Sequence, residues 1–215
     1  MFENFDFRNL LLMAVPVLLA LTVHEYAHAL AAHKLGDDTA KNEGRLTLNP
    51  LAHLDPVGTV VLFLSQMFGW AKPVPFNPAR LKNPARDSVL IAVAGPASNI
   101  ITAVAVTVFL KLALTFGFFR LLPTPVVEDL IQIIYLAIMV NVGIGVFNML
   151  PVPPLDGFKV VSYFLPRQWV VASYQYSMVF FGVFLVLIAT GTLSKIVGPV
   201  VRQLQQAIFL TIMNL

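Results

Sequence analysis

The sequence predicts an all-α polytopic membrane protein with about five to six transmembrane helices and a short membrane-associated β-hairpin after the first helix. Of its 215 residues, 58% are hydrophobic and 12% are charged, whereas a soluble domain usually carries about 25% charged residues. The three longest segments without a charged residue are 88–110, 130–155 and 168–194. Each exceeds the ~20 residues that cross a bilayer. This composition argues against a soluble enzyme, a nucleic-acid-binding protein and a disordered linker.

The first predicted helix covers about 9–35, because residues 9–23 carry no charge and the apolar pattern continues to Leu35. Glu3 and Asp6 argue against a cleaved signal peptide, which begins with basic residues. Hydropathy predicts four further helices, near 88–115, 127–150, 170–191 and 195–214.

The segments between these helices are rich in proline. The apolar segment 57–70 is shorter than a membrane span, which favours a re-entrant or interfacial segment. Prolines concentrate in 50–84 and 151–166 and predict loops there. We expect a single domain over 1–215, with a core over about 9–165 and C-terminal helices over about 170–214.

Lysine and arginine residues are unevenly divided between the two predicted sides of the membrane. Loops 36–87 and 151–168 together carry eight of them, against three on the opposite side, Arg8, Arg120 and Lys195. Because cytoplasmic loops are enriched in Lys and Arg, we expect a multi-pass protein of the cytoplasmic membrane with both loops on the cytoplasmic side. A crossing by 57–70 would remove the basis for this assignment.

The first helix contains the motif H-E-x-x-H, formed by His24, Glu25 and His28. Residues four apart share one helical face, so both imidazoles can bind one metal ion, and the motif is typical of zinc proteases. Zinc lowers the pKa of water towards ~7, and Glu25 is placed to take up a proton. The chain has no cysteine, so any metal site must use His, Asp or Glu. The alternative is a pair of buried histidines beside a glutamate that reaches the interface.

Asp156 is the best candidate for the third ligand that a catalytic zinc site needs. It ends a charge-free stretch of the sequence, and Pro151, Pro153 and Pro154 break the helix before it. Irregular backbone at membrane depth is tolerated where it lines a cavity or is buried in protein. The alternative is an ordinary helix end with Asp156 in solvent.

H-E-Y-A-H at 24–28 together with N-M-L-P-V-P-P-L-D-G at 148–157 resembles the site-2 protease family of intramembrane zinc metalloproteases. Segments 43–56, 69–78 and 94–99 resemble its compact bacterial and archaeal branch, without a PDZ or CBS domain. The resemblance implies an endopeptidase that cuts transmembrane segments of other membrane proteins within the lipid bilayer. It implies one zinc ion per chain, His24, His28 and Asp156 as ligands, Glu25 as general base, and Asn148 and Pro151 as substrate-holding residues.

The resemblance also implies a β-hairpin that dips into the membrane at about 42–49. Residues Leu46, Thr47 and Leu48 lie in a short period-two alternation between Gly44 and Pro50, which is typical of a strand. An unpaired strand edge there could bind an extended substrate as an additional strand. The alternative is a solvent loop whose leucines contact the lipid surface.

Two other functions could use the same polar residues. A transporter or metal carrier could employ the His and Asp cluster as a translocation site, but we find no paired halves with interrupted helices. A non-catalytic membrane chaperone would have no use for Glu25. Outside the cluster, His53 is expected to make a loop hydrogen bond and His33 to be interfacial. Asn99 is expected either to brace the helices of the site or to bond a neighbouring carbonyl.

Overall fold

The computed structural model describes residues 7–65 and 69–214, and regular structure within them is helical. Nine α-helices lie in these ranges: α1 Phe7–Lys34, α2 Thr39–Asn42, α3 Pro56–Ser65, α4 Pro84–Thr115, α5 Thr124–Asn148, α6 Asp156–Ser162, α7 Arg167–Gln175, α8 Ser177–Ala189 and α9 Thr192–Met213. Helices α1, α4 and α5 pack against one another, and α9 packs on α4 and α5. Apolar residues of α4, α5 and α9 form the largest buried cluster: Ala103, Leu110, Ile134, Ile138, Val142 and Ile208.

Four of the described helices are long and apolar enough to cross a membrane: Leu12–Lys34, Pro84–Thr115, Thr124–Asn148 and Thr192–Met213. A fifth span results if α7 and α8, bent by 68° between Gln175 and Ser177, are counted together. The prediction of an all-α polytopic protein is confirmed, with four or five spans. The predicted single helix at 170–191 is broken in the structure. Hydropathy merged the two pieces, although Arg167, Gln168 and Gln175 make α7 much more polar than α8.

The residues that flank the apolar segment 57–70 lie next to each other. Leu54 and Ala71 form an isolated antiparallel bridge, and the Lys72 N–H donates to the His53 carbonyl at 2.8 Å. A helix of ten residues, α3, follows Leu54 and is only about 15 Å long. Leu54 and Ala71 therefore lie on the same side of the protein, as a re-entrant or interfacial segment requires.

The predicted β-hairpin at 42–49 is wrong. The described residues contain no β-strand, and this segment forms a turn and bends. Its backbone groups are bonded by local turns and by side chains, and not by a strand ladder: the Arg45 N–H, for example, donates to the Ala40 carbonyl at 2.8 Å. The Thr47 hydroxyl accepts the Asn49 N–H at 3.1 Å, and the Thr47 carbonyl lies 2.8 Å from His53 Nε2. The predicted role of Leu46, Thr47 and Leu48 as a strand edge for substrate therefore loses its structural basis.

The fully buried carboxylate of Asp37 joins the end of α1 to the segment that precedes α4. It accepts the Thr39 N–H and hydroxyl at 3.1 and 2.5 Å and the Asn77 N–H at 2.5 Å. Burial alone would raise the pKa of Asp37, but these hydrogen bonds and the nearby Arg80 lower it below its ordinary value. Asp37 therefore fixes Asn77 beside the end of α1.

Candidate metal centre

His24 and His28 lie one turn apart on α1 and face the same point. Both are buried, with 4% and 7% of their surface exposed. Their Nε2 atoms are 3.0 Å apart, and their rings meet edge to face with centroids separated by 4.6 Å. This is the arrangement that the four-residue spacing predicts for two histidines on one helical face.

Asp156, the first residue of α6, reaches the same point from the other end of the sequence. Its Oδ2 atom lies 3.1 Å from His24 Nε2 and 3.0 Å from His28 Nε2. The following residue, Gly157, is packed so tightly that a Cβ there would be 2.2 Å from the Met149 carbonyl oxygen. This close approach keeps the start of α6 against the end of α5, and it explains why glycine follows the aspartate.

The second oxygen of Asp156 is held by a lysine. Lys159 Nζ donates to Asp156 Oδ1 at 3.0 Å and also lies 5.9 Å from the centroid of the Phe76 ring. Burial alone would raise the pKa of Asp156, but its contacts with His24, His28 and Lys159 hold it well below its ordinary value. The group is therefore an ionised carboxylate at neutral pH.

The Nδ1 atoms of both imidazoles, which face away from the cluster, lie within hydrogen-bond distance of acceptor oxygens. His24 Nδ1 lies 2.7 Å from Asn99 Oδ1, and His28 Nδ1 lies 2.7 Å from the Ile91 carbonyl oxygen. Each Nδ1 must therefore carry the proton, and a neutral ring then directs its Nε2 lone pair to the centre.

Two nitrogen lone pairs and a carboxylate oxygen converge where only a cation or a proton would relieve their repulsion. In a tetrahedral zinc site with bonds of about 2.0–2.1 Å, neighbouring donor atoms lie roughly 3.3 Å apart. The observed separations of 3.0 and 3.1 Å are close to that value. His24, His28 and Asp156 therefore fit a metal ion of the size and chemistry of zinc.

Glu25 lies next to the cluster and is 9% exposed. Its Oε2 atom accepts the Val74 N–H at 3.1 Å. Arg45, itself buried, holds the segment that supplies this N–H by donating to the carbonyls of Lys72 and Pro73 at 2.5 and 3.2 Å. One carboxylate oxygen of Glu25 is thus fixed by the backbone, while the Oε1 atom has no hydrogen bond to the described residues.

Comparison with known proteins finds one matching protein family and several similar bacterial proteins. A family model for peptidase family M50 matches residues 121–189. A Bacillus subtilis protein, provisionally named zinc metalloprotease YwhC, is 38% identical over 190 residues, which cover 88% of this chain and 85% of that protein. The chain belongs to peptidase family M50. This membership supports the resemblance to site-2 proteases and disfavours the transporter and chaperone alternatives.

Other similar proteins, with lower identity, come from mycobacteria. The Mycolicibacterium smegmatis protein provisionally named zinc metalloprotease Rip2 is 30% identical over 67% of this chain and 54% of its own length. The Mycobacterium tuberculosis protein of the same name is 29% identical over 82% of this chain and 66% of its own length. No solved structure matches the chain.

Asn148 and Pro151, the two predicted substrate-holding residues, lie at the last residue of α5 and in the turn that follows it. Asn148 is half-buried and donates from Nδ2 to the Ile144 carbonyl of its own helix at 3.1 Å, and Pro151 is exposed. Their predicted role in holding substrate stays a prediction. His53 is buried and contacts the Thr47 carbonyl, as expected for a loop histidine. His33 pairs with Asp38 away from the cluster.

Sequence reasoning missed several residues that shape this M50 site. Gly95 on α4 lies so close to both imidazoles that a Cβ would be 2.4 Å from His28 Nε2 and 2.7 Å from His24 Cε1. Lys159, Arg45 and Val74 were likewise not predicted to act here. The only available signal was that Gly95 lies in the A-G-P-A-S-N segment of the family resemblance.

Proposed function

We propose that this M50 chain is an intramembrane zinc endopeptidase that hydrolyses peptide bonds in or near transmembrane segments of other membrane proteins. The observation that carries the proposal is the convergence of His24 Nε2, His28 Nε2 and Asp156 Oδ2 beside Glu25. In this proposal the three residues hold one zinc ion per chain, and the whole of 1–215 forms one protease domain. The names of the bacterial relatives support the choice of zinc.

A bound zinc ion would supply Lewis acidity, which polarises the scissile carbonyl and makes water acidic enough to attack near neutral pH. Glu25 is the general base. The Val74 N–H occupies Oε2, so Oε1 is the oxygen that takes the proton from the attacking water. Glu25 then passes this proton to the amide nitrogen as the C–N bond breaks, and a carboxylate and an amine leave.

The substrate must be locally unwound, because a helix keeps its carbonyls within its own hydrogen bonds. The family resemblance supports a substrate-holding role for Asn148 and Pro151, and their position at the irregular end of α5 is compatible with it. The Pro-rich turn that follows leads directly to Asp156. A peptide held there would lie next to the proposed zinc ligand.

We also propose that the site opens towards the cytoplasm and that the chain resides in the cytoplasmic membrane. The support is the excess of Lys and Arg in loops 36–87 and 151–168, together with the adjacent ends of segment 57–70. The native chain has no cysteine, so single cysteines at 82, 159 and 123 can be labelled selectively. Positions 82 and 159 should label from the cytoplasm and 123 from the opposite side. Labelling of 82 or 159 from the outside would overturn the orientation.

The direct test of function is cleavage in proteoliposomes of a panel of single-span membrane proteins. We expect fragments with the wild-type chain and none with Glu25→Gln, which should retain its zinc. Glu43→Gln removes an exposed carboxylate elsewhere and is the matched control, with wild-type cleavage expected. Equal cleavage by the Glu25→Gln variant would contradict the proposed base.

A further inference from the structure

A cleft of about 250 Å³ lies between the end of α1 and the start of α4, apart from the metal centre. Residues from two separate parts of the sequence line it: Lys34, Leu35, Lys82, Asn83, Arg86 and Asp87. Three of the six are basic and one is acidic, so the lining carries a net positive charge. The cleft is therefore suited to a negatively charged ligand.

The basic groups of the cleft are available for such a ligand. Lys34, Lys82 and Arg86 are exposed, and within the described ranges none of their side chains forms an ion pair or a hydrogen bond. The one carboxylate is already used: Asp87 is 5% exposed and accepts the Asn83 N–H at 2.9 Å. Asp87 thus closes the first turn of α4 and does not neutralise the three cations by direct contact.

The cleft lies at the boundary of the membrane. Lys34 is the last residue of the first candidate span, and the second candidate span begins at Pro84. Leu35, the apolar residue of the lining, packs on the buried cluster of Ala32, Leu81 and Ile91. The basic groups are therefore at the ends of two candidate spans, which is the depth of lipid headgroups.

We propose that this cleft binds the phosphate of an anionic phospholipid headgroup. Lys34 would contact it from the end of α1, Lys82 from the segment before α4, and Arg86 from the first turn of α4. Lys and Arg bind phosphate as a point charge and as a planar fork of donors, respectively. A zwitterionic lipid binds less well because its cationic group opposes the same three residues. The bound lipid connects the end of α1 to the start of α4, the helices that carry His28 and its partner Ile91.

Lipid retention measured by native mass spectrometry tests the proposal with the full chain. The protein is purified from vesicles of equal parts phosphatidylglycerol and phosphatidylcholine. We expect wild type to retain phosphatidylglycerol preferentially. The triple variant Lys34→Gln, Lys82→Gln, Arg86→Gln should retain about tenfold less or lower still. Lys82→Gln alone should retain an intermediate amount of phosphatidylglycerol. This single variant replaces the triple variant in the test if the triple variant does not fold.

The matched control is Lys41→Gln, Lys72→Gln, Arg167→Gln, which removes the same charge from exposed residues outside the cleft. We expect retention within about twofold of wild type. An equal loss in both triple variants would show diffuse attraction and overturn the site, as would the absence of any preference for phosphatidylglycerol. Full displacement of the lipid by millimolar inorganic phosphate would identify an ion site and contradict the lipid assignment. None of these outcomes depends on zinc or on cleavage.

Discussion

The Nδ1 atom of His24 on α1 lies 2.7 Å from the Oδ1 atom of Asn99 on α4. The amide of Asn99 is itself fixed, because its Nδ2 donates to the Ala20 carbonyl at 2.9 Å and to Asn141 Oδ1 at 3.0 Å. Asn141 in turn donates to the Ala137 carbonyl of α5 at 2.8 Å. A fully buried polar chain therefore connects the three central helices to one proposed zinc ligand.

Asn99→Ala should weaken zinc binding by about 10- to 100-fold, because His24 loses the acceptor that orients its ring. Zinc affinity measured by competition with a chelator checks this. Thr102→Ala is the control on the same helix, since among the described residues the Thr102 hydroxyl bonds only to the Ser98 carbonyl of its own helix. Unchanged affinity in Asn99→Ala would show that His24 does not depend on Asn99.

Gly95→Ala should abolish stoichiometric zinc binding. The added Cβ would lie 2.4 Å from His28 Nε2, so an imidazole must leave the centre. Gly143→Ala on α5 is the matched control, because no described atom outside the local helix backbone lies within 4 Å of a Cβ at that position. Elemental analysis of the two purified variants measures the zinc content per chain. Normal zinc content in Gly95→Ala would contradict the proposed position of the two imidazoles.

Lys159→Met should lower zinc affinity by about tenfold, because Asp156 Oδ1 loses its donor and the carboxylate is free to rotate. Lys159→Arg should restore most of the affinity, which a purely steric role of the side chain would not predict. Lys41→Met is the control for loss of a surface charge. If Lys159→Met and wild type bind zinc equally well, Lys159 has no role in positioning Asp156.

Asp37→Asn should destabilise the protein by about 1–3 kcal/mol at neutral pH, because a buried charge-assisted hydrogen-bond set is lost. The pKa of Asp37 is lower in the folded than in the unfolded state. Its contribution is therefore complete above the unfolded pKa of about 3.9 and decreases as the pH falls through the folded pKa.

Thermal unfolding of wild type and Asp37→Asn at several pH values measures this contribution. The difference between the two proteins should be constant from pH 7 to about 5 and should shrink below about 4. Glu43→Gln, which removes an exposed carboxylate, should unfold like wild type throughout. A difference that grew with acidification would contradict the lowered pKa of Asp37.

The sequence was informative where a pattern is local. A four-residue spacing on one helix was enough to predict that His24 and His28 face one point, and runs without charge predicted α1, α4 and α5. Asp156 could be proposed because few acidic residues remain in that half of the chain.

Features that depend on packing between distant segments were not predictable in this way. The tight fit at Gly95 arises only when α4 packs on α1, and the Lys159 contact arises only when α6 turns back to the centre. The alternation at 45–48 resembled a strand, but Arg45 points inward to the carbonyls of Lys72 and Pro73. The charge-free stretch likewise did not reveal the bend after Gln175, because α7 and α8 both lack charged residues beyond Arg167.

Zinc content per chain is the measurement that tests the proposed metal centre most directly. Elemental analysis of detergent-purified protein should give one zinc ion per chain for wild type and for Glu25→Gln. It should give far less for Asp156→Asn and none for the double variant His24→Ala, His28→Ala. Full zinc occupancy in that double variant would contradict the assignment of His24, His28 and Asp156 as the metal centre.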